Sequence, residues 1–368
     1  MYNFDYVCKD MIYETTVAAE QNYLVEKKLR ILEIENGYVL PFFNGGGGVL
    51  TKEKEYIDSS FVHCGVGKSY EFDEEMIDVV DKTVVYIGMF NLIWGHCITD
   101  NLKHLWIMLH SEYSYLKDLD FVYLVAYDNK IFSDNFIELL SRLGIEKEKM
   151  FTVQNVTKFK KIILPEQCFS YNYQENKTEY TKEYIQLVDK ISEGIFPLKY
   201  EKIYFTRSLF NSSKDFSNEK KIENILMKKG YKIFSPEKLS LAEEIALLKG
   251  CSEFVTSDGS LSHNAIFLND NSTLVILRKS NYMNRYQAAI NKLKNINVVY
   301  IDSNKSVMCN KIRPWEGPFF VYPNKAFCSY FGIEHVSFPY LQFIKYIVLS
   351  TSRNVLSLLR KIKKVITR

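Results

Sequence analysis

A histidine and an aspartate stand four residues apart, shortly after an apolar segment. Residues 84–88 predict a buried strand, and from His96 onward the apolar residues recur at helical spacing. At a separation of four residues, the side chains of His96 and Asp100 would share one face of that helix. A histidine beside a carboxylate can act as a general base, so the pair is a candidate for proton abstraction, with either residue as the base.

Two other interpretations of this segment remain open. His104 continues the same spacing, and a His-Asp-His set could bind zinc, although the chain has neither an HExxH sequence nor a CxxC pair. The aspartate could also simply stabilise the start of a helix through the helix dipole. All three interpretations fit the residue types.

A second candidate site lies within residues 253–268. The apolar residues at 254–256 predict the end of a strand, and Asp258, Gly259 and Ser260 then supply the small and capping residues that begin a helix. The free N–H groups and the dipole of a helix start favour phosphate binding. An ordinary turn between a strand and a helix would contain the same residue types, so both interpretations stand.

Length and composition limit the class of protein. The chain has 368 residues, which suits two domains, and its net charge of +3 is too small to predict binding to nucleic acid. Seven scattered cysteines without a CxxC pair are typical of reduced thiols in the cytosol. Residues 1–30 lack the apolar core of a signal peptide, and no segment has the length and apolarity of a membrane span.

Strands and helices are predicted to alternate from residue 84 onward, which indicates an α/β fold with a parallel sheet. Ser240 and Glu243 form a capping-box pattern that predicts a helix from residue 241. Residues 165–180 predict a loop. The glycines at 45–48 predict a hairpin turn, because no Lys-Ser or Lys-Thr follows them as in a phosphate-binding P-loop.

The chain is predicted to divide into three parts. Residues 1–194 would form a first domain with a strand-rich start, and residues 195–335 a second, Rossmann-like domain, with a linker at residues 193–198. The second domain lacks GxGxxG, which argues against a dinucleotide-dependent oxidoreductase. Residues 336–368 would form a basic amphipathic helix that contacts an anionic membrane surface, or else one that packs on the domains.

Three segments in this order resemble glycosyltransferase family 61, whose members belong to capsule and exopolysaccharide gene clusters. They are Trp94-Gly95-His96 with Asp100; the run from Tyr204-Phe205-Thr206-Arg207 through Asn218-Glu219 and Gly230-Tyr231 to Ser240-Leu241-Ala242-Glu243-Glu244-Ile245; and Asp258-Gly259-Ser260 with His263-Asn264 and Phe267. The resemblance covers about residues 84–280. The chain departs from the family pattern at Asp258, where many relatives carry histidine, and at Lys214, where arginine is usual.

The resemblance implies a GT-B-like architecture, in which two Rossmann-like domains face each other across a cleft, here followed by the C-terminal amphipathic helix. It implies an inverting glycosyltransferase without metal or cofactor. The donor would be a nucleotide sugar, expected to be a UDP-sugar, and the acceptor a glycan or lipid-linked oligosaccharide of a bacterial surface polysaccharide. The expected location is the cytoplasm, peripheral on the inner face of the cell membrane.

The resemblance also implies roles for the candidate residues. His96 and Asp100 would be the catalytic pair that deprotonates the acceptor hydroxyl. Positive charges at Arg207 and Lys214 would stabilise the leaving diphosphate in place of a metal. The complete predicted donor site is Arg207, Lys214, Asp258, Gly259, Ser260, His263 and Asn264.

Two other functions remain as alternatives. The chain could be a non-catalytic subunit of a polysaccharide assembly complex that binds sugar nucleotides or glycans, because Asp258 replaces the usual histidine. It could also be another GT-B-like enzyme that modifies sugars. An enzyme would release free nucleotide in the presence of an acceptor, whereas a binding subunit would not.

Overall fold

The computed structural model describes residues 1–7, 9–60, 68–125, 132–172, 177–209, 218–280, 284–305, 319–348 and 351. Lys214 and residues 349, 350 and 352–368 of the predicted C-terminal helix lie outside the described residues. The described part is a mixed α/β structure, which confirms the α/β class of the predicted fold.

The strands form two main sheets and one separate hairpin. In chain order they are β1 Tyr2–Asn3, β2 Ile31–Glu35, β3 Tyr38–Phe43, β4 Gly46–Leu50, β5 Asp78–Phe90, β6 Asp120–Val125, β7 Met150–Thr152, β8 Thr157–Pro165, β9 Phe169–Asn172, β10 Lys177–Tyr180, β11 Lys202–Phe205, β12 Lys232–Phe234, β13 Glu253–Ser257, β14 Thr273–Arg278 and β15 Asn297–Asp302.

The helices are short, and several segments are 3₁₀ rather than α. The α-helices are α1 Lys9–Glu20, α2 Trp94–Cys97, α3 Asp134–Arg142, α4 Lys182–Ile191, α5 Glu219–Lys228, α6 Leu241–Gly250, α7 Arg285–Ile290 and α8 Lys325–Tyr330. Residues 340–348 are also α-helical. The 3₁₀ segments are Asp58–Ser60, Glu74–Met76, Asp100–Leu102, Leu105–Leu109, Ser111–Asp118, Lys147–Lys149, Pro236–Lys238 and Ser262–Phe267.

The first sheet is mixed. Its strands lie in the order β4-β3-β8-β5-β6-β7, with β2 also paired to β8. β5 runs parallel to both β6 and β8, whereas β2 and β3 run antiparallel to β8. Because the chain leaves β5 toward β6 on one side and returns to β8 on the other, the strand order reverses beside β5. Such a reversal opens a crevice beyond the carboxyl end of the strand.

The second sheet is parallel in all its pairings and has the order β1-β15-β14-β13-β11-β12. Its strand order reverses between β11 and β13, so a crevice is expected where these two strands end. β1 lies in this sheet because Tyr2–Asn3 pairs with Val298–Val299 at its edge. The first strand is therefore outside the domain in which the sequence placed it, while the division at residues 194 and 335 stays a prediction.

The two sheets share one apolar core. A single cluster of buried side chains includes Val85 and Phe121 from the first sheet and Ile203 and Phe254 from the second. The predicted linker at residues 193–198 contacts helix α6, since the backbone N–H of Leu198 donates to the carbonyl of Ala246 at 2.8 Å.

Three local predictions of secondary structure are wrong. The helix expected from His96 onward is divided into α2 and two 3₁₀ segments, and its apolar residues face a buried environment that overrides their helix propensity. The α-helix expected after Ser260 is a 3₁₀ segment of six residues, Ser262–Phe267, all buried. Residues 165–180, predicted as a loop, contain the antiparallel β9–β10 pair.

Two turn predictions are confirmed. Asn44 and Gly45 have φ values of 48° and 80° and connect β3 to the antiparallel β4, as a hairpin turn requires. The side chain of Ser240 accepts the N–H of Glu243, while the Glu243 carboxylate accepts the N–H of Ser240, which is the predicted capping box at α6.

The last described helix exposes apolar side chains. Leu341, Ile344 and Val348 are each more than half exposed, whereas Tyr346 is buried against the rings of Phe320 and Phe343. None of the helices in the described part of the chain is long and apolar enough to span a bilayer.

Substitution of Ser240 tests the capping box. Ser240→Ala removes one side-chain acceptor at the start of α6 and should lower the free energy of unfolding by about 1 kcal/mol, measured by urea titration. Ser240→Asp keeps an acceptor and should remain close to wild type. Equal losses in the two variants would contradict a stabilising role for the cap.

Candidate active site

The loops that follow β5 and β13 contact each other directly. The indole Nε1 of Trp94 donates to Oδ1 of Asn264 at 2.8 Å. A Cβ atom at residue 95 would lie 2.9 Å from Nδ1 of His263 and 3.1 Å from Oγ of Ser260, so glycine allows the close approach. The structure therefore brings the first sheet's candidate residues to those of the second.

His96 and Asp100 form the predicted pair without the predicted continuous helix. Nδ1 of His96 lies 2.8 Å from Oδ1 of Asp100. Thr99 Oγ1 lies 2.9 Å from the same carboxylate oxygen and 2.8 Å from the carbonyl oxygen of Gly95. The Asp100 side chain is buried, whereas that of His96 is 23% exposed. A buried carboxylate thus orients a partly accessible imidazole, as an acid–base pair requires.

The third member of the possible zinc set is turned away. Nδ1 of His104 lies 2.6 Å from the carbonyl oxygen of Pro165, and its side chain is fully buried. Burial, and then the nearby charge of Lys103, lower the pKa of His104 to about 3, so the ring is neutral at pH 7. Among the described residues no three His, Cys, Asp or Glu side chains lie close enough together to hold a metal ion, so His96, Asp100 and His104 do not form the zinc set.

His263 is a second histidine at the meeting of the loops. It is 7% exposed, and its Nε2 lies 3.3 Å from Nδ2 of Asn284. Nδ1 approaches the backbone of Gly95 but has no partner with hydrogen-bond geometry among the described residues. Burial, followed by the charge of His96, lowers the pKa of His263 to about 4, which keeps the ring neutral at pH 7.

Asn264 is hydrogen-bonded within the protein through both ends of its amide. Its oxygen accepts from Trp94, and its Nδ2 lies 3.4 Å from Oε2 of Glu244. The other oxygen of Glu244 accepts from Nδ2 of Asn135 at 2.9 Å. In this geometry Asn264 connects the two loops to α6, which is a positioning role rather than the predicted contact with the donor.

Glu244 is itself buried at the end of this connection. Burial raises the pKa of its carboxyl group to about 8, although the hydrogen bond from Asn135 lowers it. The proton-bearing form is therefore well populated near neutral pH. Glu244 lies within one of the segments that resemble the family, but its spacing does not mark it as functional.

Arg207 follows β11, on the other side of the strand reversal from Asp258. Its backbone N–H donates at 2.8 Å to a carboxylate oxygen of Glu219, which also accepts from the hydroxyl of Tyr204 at 2.9 Å. Burial raises the pKa of Glu219. The Asn218-Glu219 segment of the sequence thus positions the backbone that carries Arg207.

Asp258 lies beside two basic residues that sequence analysis missed. Arg278 ends β14, is buried, and has Nη1 3.0 Å from Oδ1 of Asp302. Lys279 follows it, and its Nζ would lie 2.8 Å from a Cβ atom at residue 259. Burial raises the pKa of Asp258, while the charges of Lys279 and Arg278 oppose that rise. Their place at the carboxyl end of a buried strand was the signal that could have found them.

The turn at Gly259 is closed by its own side chains. The N–H of Gly259 donates to Oγ of Ser262 at 3.2 Å, and the N–H of Ser262 donates to the carbonyl of Gly259 at 2.9 Å. Gly259 has a φ of +120°, which favours glycine. Ser260 remains partly exposed next to Gly95 and His263. The N–H of Gly259 is thus already bonded within the turn, and phosphate binding by the N–H groups after Gly259 stays a prediction.

Comparison with known families gives a match over the region of the site. A family model described as Glycosyltransferase 61 matches residues 94–276, about half of the chain. The matched region begins at Trp94 and ends within β14, so it contains both loops that meet at the site. No curated protein matches the chain.

Replacement of Glu244 tests its buried, proton-bearing state. Since its folded pKa of about 8 exceeds the unfolded value of about 4.3, the native state retains a proton that the unfolded state loses as the pH rises. Its contribution to stability is therefore full below about pH 4 and is lost as the pH rises toward 8. Between about pH 5 and pH 8, wild type should lose more unfolding free energy than Glu244→Gln, by an amount on the order of a few kcal/mol.

Urea unfolding at several pH values measures this difference. Glu75→Gln is the matched control, because it removes a carboxylate that lies exposed on the surface. Its pH dependence should follow that of wild type. Parallel curves for wild type and Glu244→Gln would show that Glu244 is not the titrating group.

Proposed function

The chain belongs to glycosyltransferase family 61 and is a glycosyltransferase, and from this we propose a specific reaction. The enzyme moves a sugar from a nucleotide-sugar donor, a UDP-sugar, to a glycan or lipid-linked oligosaccharide with inversion at the anomeric carbon. It requires no bound metal. Its product is part of a bacterial capsule or exopolysaccharide.

The observation that carries the proposal is the meeting of the two loops at Gly95. It brings the His96–Asp100 pair of the first sheet to Ser260 and His263 of the second. Both loops follow strands at a reversal of strand order, where open α/β sheets bind ligands. A base from one sheet and polar groups from the other support a reaction between an acceptor and a nucleotide-sugar donor.

The proposed chemistry is a single displacement. The acceptor hydroxyl oxygen attacks the anomeric carbon, and its proton passes to His96, or to Asp100 if the carboxylate is the base. The bond from the anomeric carbon to the diphosphate breaks on the opposite face, and the electron pair leaves with the nucleoside diphosphate. The anomeric configuration is therefore inverted.

The leaving diphosphate gains negative charge and needs fixed donors. We assign this role to Arg207, which can bind phosphate through two N–H groups, with Lys214 as a second positive charge. Ser260 and His263 complete the donor side. Lys279 adds a positive charge near Asp258 and Gly259 that the sequence did not reveal.

A GT-B-like architecture is part of the proposal. Its support is the presence of two sheets, each with a reversal of strand order, whose loops carry the candidate residues of acceptor and donor sides. The shared apolar core limits how far the two sheets could separate, so closure on the donor would involve the loops more than whole sheets.

An assay of nucleotide release tests the function. Purified protein with a panel of UDP-, GDP- and CDP-sugars, a polysaccharide acceptor extract and EDTA should release one free nucleoside diphosphate. His96→Ala should lower the rate by roughly 10²–10⁴-fold, because it removes the proposed base. His335→Ala, at an exposed histidine, should leave the rate unchanged.

The outcomes separate three cases. Full activity of His96→Ala would exclude His96 as the base. Calorimetry measures binding of the nucleotide sugars. If one of them binds but no nucleotide is released, the result would favour the non-catalytic binding subunit. Activity that EDTA abolishes and magnesium restores would refute the metal-independent mechanism.

We also propose that the C-terminal helix holds the enzyme on the inner face of the cytoplasmic membrane. Support comes from the exposed apolar side chains of Leu341, Ile344 and Val348 in residues 340–348. The sequence after Glu334 has seven basic residues and no acidic one, which suits an anionic lipid surface. Tyr346 would keep the start of the helix on the protein.

Truncation tests this location. Deletion of residues 344–368 should move the protein from sedimenting anionic vesicles to the supernatant, while neutral vesicles should bind neither form. Because Tyr346 packs against Phe320, a second variant lacking only residues 349–368 retains that contact and should also lose most binding. Equal sedimentation of wild type and both truncated forms would refute the proposal.

A further inference from the structure

Asn284 caps α7, and this determines the orientation of its amide. Its Oδ1 accepts the backbone N–H groups of Tyr286 at 3.1 Å and Gln287 at 3.3 Å. An amide whose oxygen is bound to two N–H groups must direct its NH₂ group elsewhere. That NH₂ group lies 3.3 Å from Nε2 of His263. A helix cap therefore decides which atom of Asn284 faces the histidine.

The orientation of Asn284 in turn determines the tautomer of His263. Because the NH₂ group can only donate, Nε2 of His263 must accept and cannot carry a proton. The ring is neutral at pH 7, since burial above all lowers its pKa to about 4. Its single proton is then on Nδ1.

The Nδ1–H group points to the meeting of the two loops. It is buried close to the backbone of Gly95, whose nearness opposes the lowering of the His263 pKa by burial, but the contact does not reach full hydrogen-bond geometry among the described residues. The carbonyl of Gly95 also accepts from Thr99 Oγ1 at 2.8 Å. A buried N–H group with only such a weak contact is poorly satisfied, and an oxygen of a bound ligand would satisfy it better.

We propose that Asn284 holds His263 as the Nδ1–H tautomer and that this N–H donates a hydrogen bond to a diphosphate oxygen of the nucleotide sugar. The first half concerns the free protein alone, and the second half rests on the proposed function. Asn284 lies outside the family match at 94–276, so the match assigns it no role. It is a positioning residue, because it acts through His263.

The surroundings favour a phosphate oxygen over a sugar hydroxyl. Ser260 Oγ and His263 Nδ1 would lie 3.1 Å and 2.9 Å from a Cβ atom at residue 95, and Lys279 lies near enough to lower the pKa of His263 by its charge. A cation, a hydroxyl and an N–H group in one region suit an oxyanion. A neutral histidine also supplies a donor without competing with His96 for the acceptor's proton.

Nitrogen NMR of histidine-labelled protein tests the first half. At pH 7, wild-type His263 should show a protonated Nδ1 and an unprotonated Nε2, assigned by its loss in His263→Gln. Asn284→Ser keeps a capping oxygen but removes the NH₂ donor, so the preference for Nδ1–H should fall. A protonated Nε2 in wild type, or an unchanged tautomer in Asn284→Ser, would overturn the inference.

Asn324→Ser is the matched control for the loss of an asparagine cap. Asn324 caps α8 by accepting from the N–H of Phe327 at 3.0 Å, and its NH₂ group donates to a backbone carbonyl, that of Asp302. The same substitution there should leave the His263 signals unchanged. If the His263 signals change equally in Asn324→Ser, the effect of Asn284→Ser would arise from the loss of any helix cap and not from the loss of the NH₂ donor to His263.

Two substitutions of His263 test the contact with the diphosphate. The amide nitrogen of asparagine can occupy roughly the place of Nδ1, whereas that of glutamine reaches toward Nε2. His263→Asn should bind UDP within about threefold of wild type, and His263→Gln about tenfold more weakly, since only the latter loses the donor. Calorimetry with UDP measures both, with circular dichroism to confirm folding.

These measurements separate failure of the inference from failure of the proposed function. Equal affinities of His263→Asn and His263→Gln, with normal UDP binding by wild type, would refute the diphosphate contact and leave the function intact. Absence of binding of UDP, GDP and CDP to wild type would refute the function and the contact together. The NMR result decides the tautomer in either case.

Discussion

A partly buried hydrogen bond between Trp94 and Asn264 constrains how the two sheets meet. Asn264 is fully buried, so its amide oxygen needs the indole N–H of Trp94, and a shift of one loop past the other would leave that oxygen unsatisfied. Glu244 and Asn135 extend the connection to α6 and α3. The apolar core between the sheets stabilises their contact but has little directionality. The network of hydrogen-bonded side chains fixes the relative position of the two loops. The relative position of His96 and His263 depends on it.

The same constraint explains why residues of little chemical reactivity occupy the centre of the site. Gly95 has no side chain because the opposing loop leaves no space for one. Glu219 has its carboxylate within the protein, where it holds the backbone before Arg207. The reactive groups are thus few, and the residues around them hold two loops in one arrangement. Preorganisation of this kind lets a site act without reorganising during the reaction.

Sequence reasoning found residues that were linked by spacing and missed those linked by the fold. The His96–Asp100 contact was predictable because one helical turn and the observed broken turns both bring residues four apart together. The form of the segment was not predictable, because burial on all sides overrides propensity. Lys279 and Asn284 become neighbours of the site only once the order of parallel strands is known. No spacing in the chain encodes which strand ends adjoin.

The pairing of β1 with β15 has a consequence for biosynthesis. Tyr2 pairs with Val298, so the edge strand of the parallel sheet is synthesised about 300 residues before its partner. At roughly 5–20 residues per second, the first strand waits roughly 15–60 s before its place in the sheet exists. During that interval its apolar neighbours have no native surface to cover them, and contacts of such long range form slowly. The parallel sheet therefore gains its β1 edge only after β15 has been synthesised.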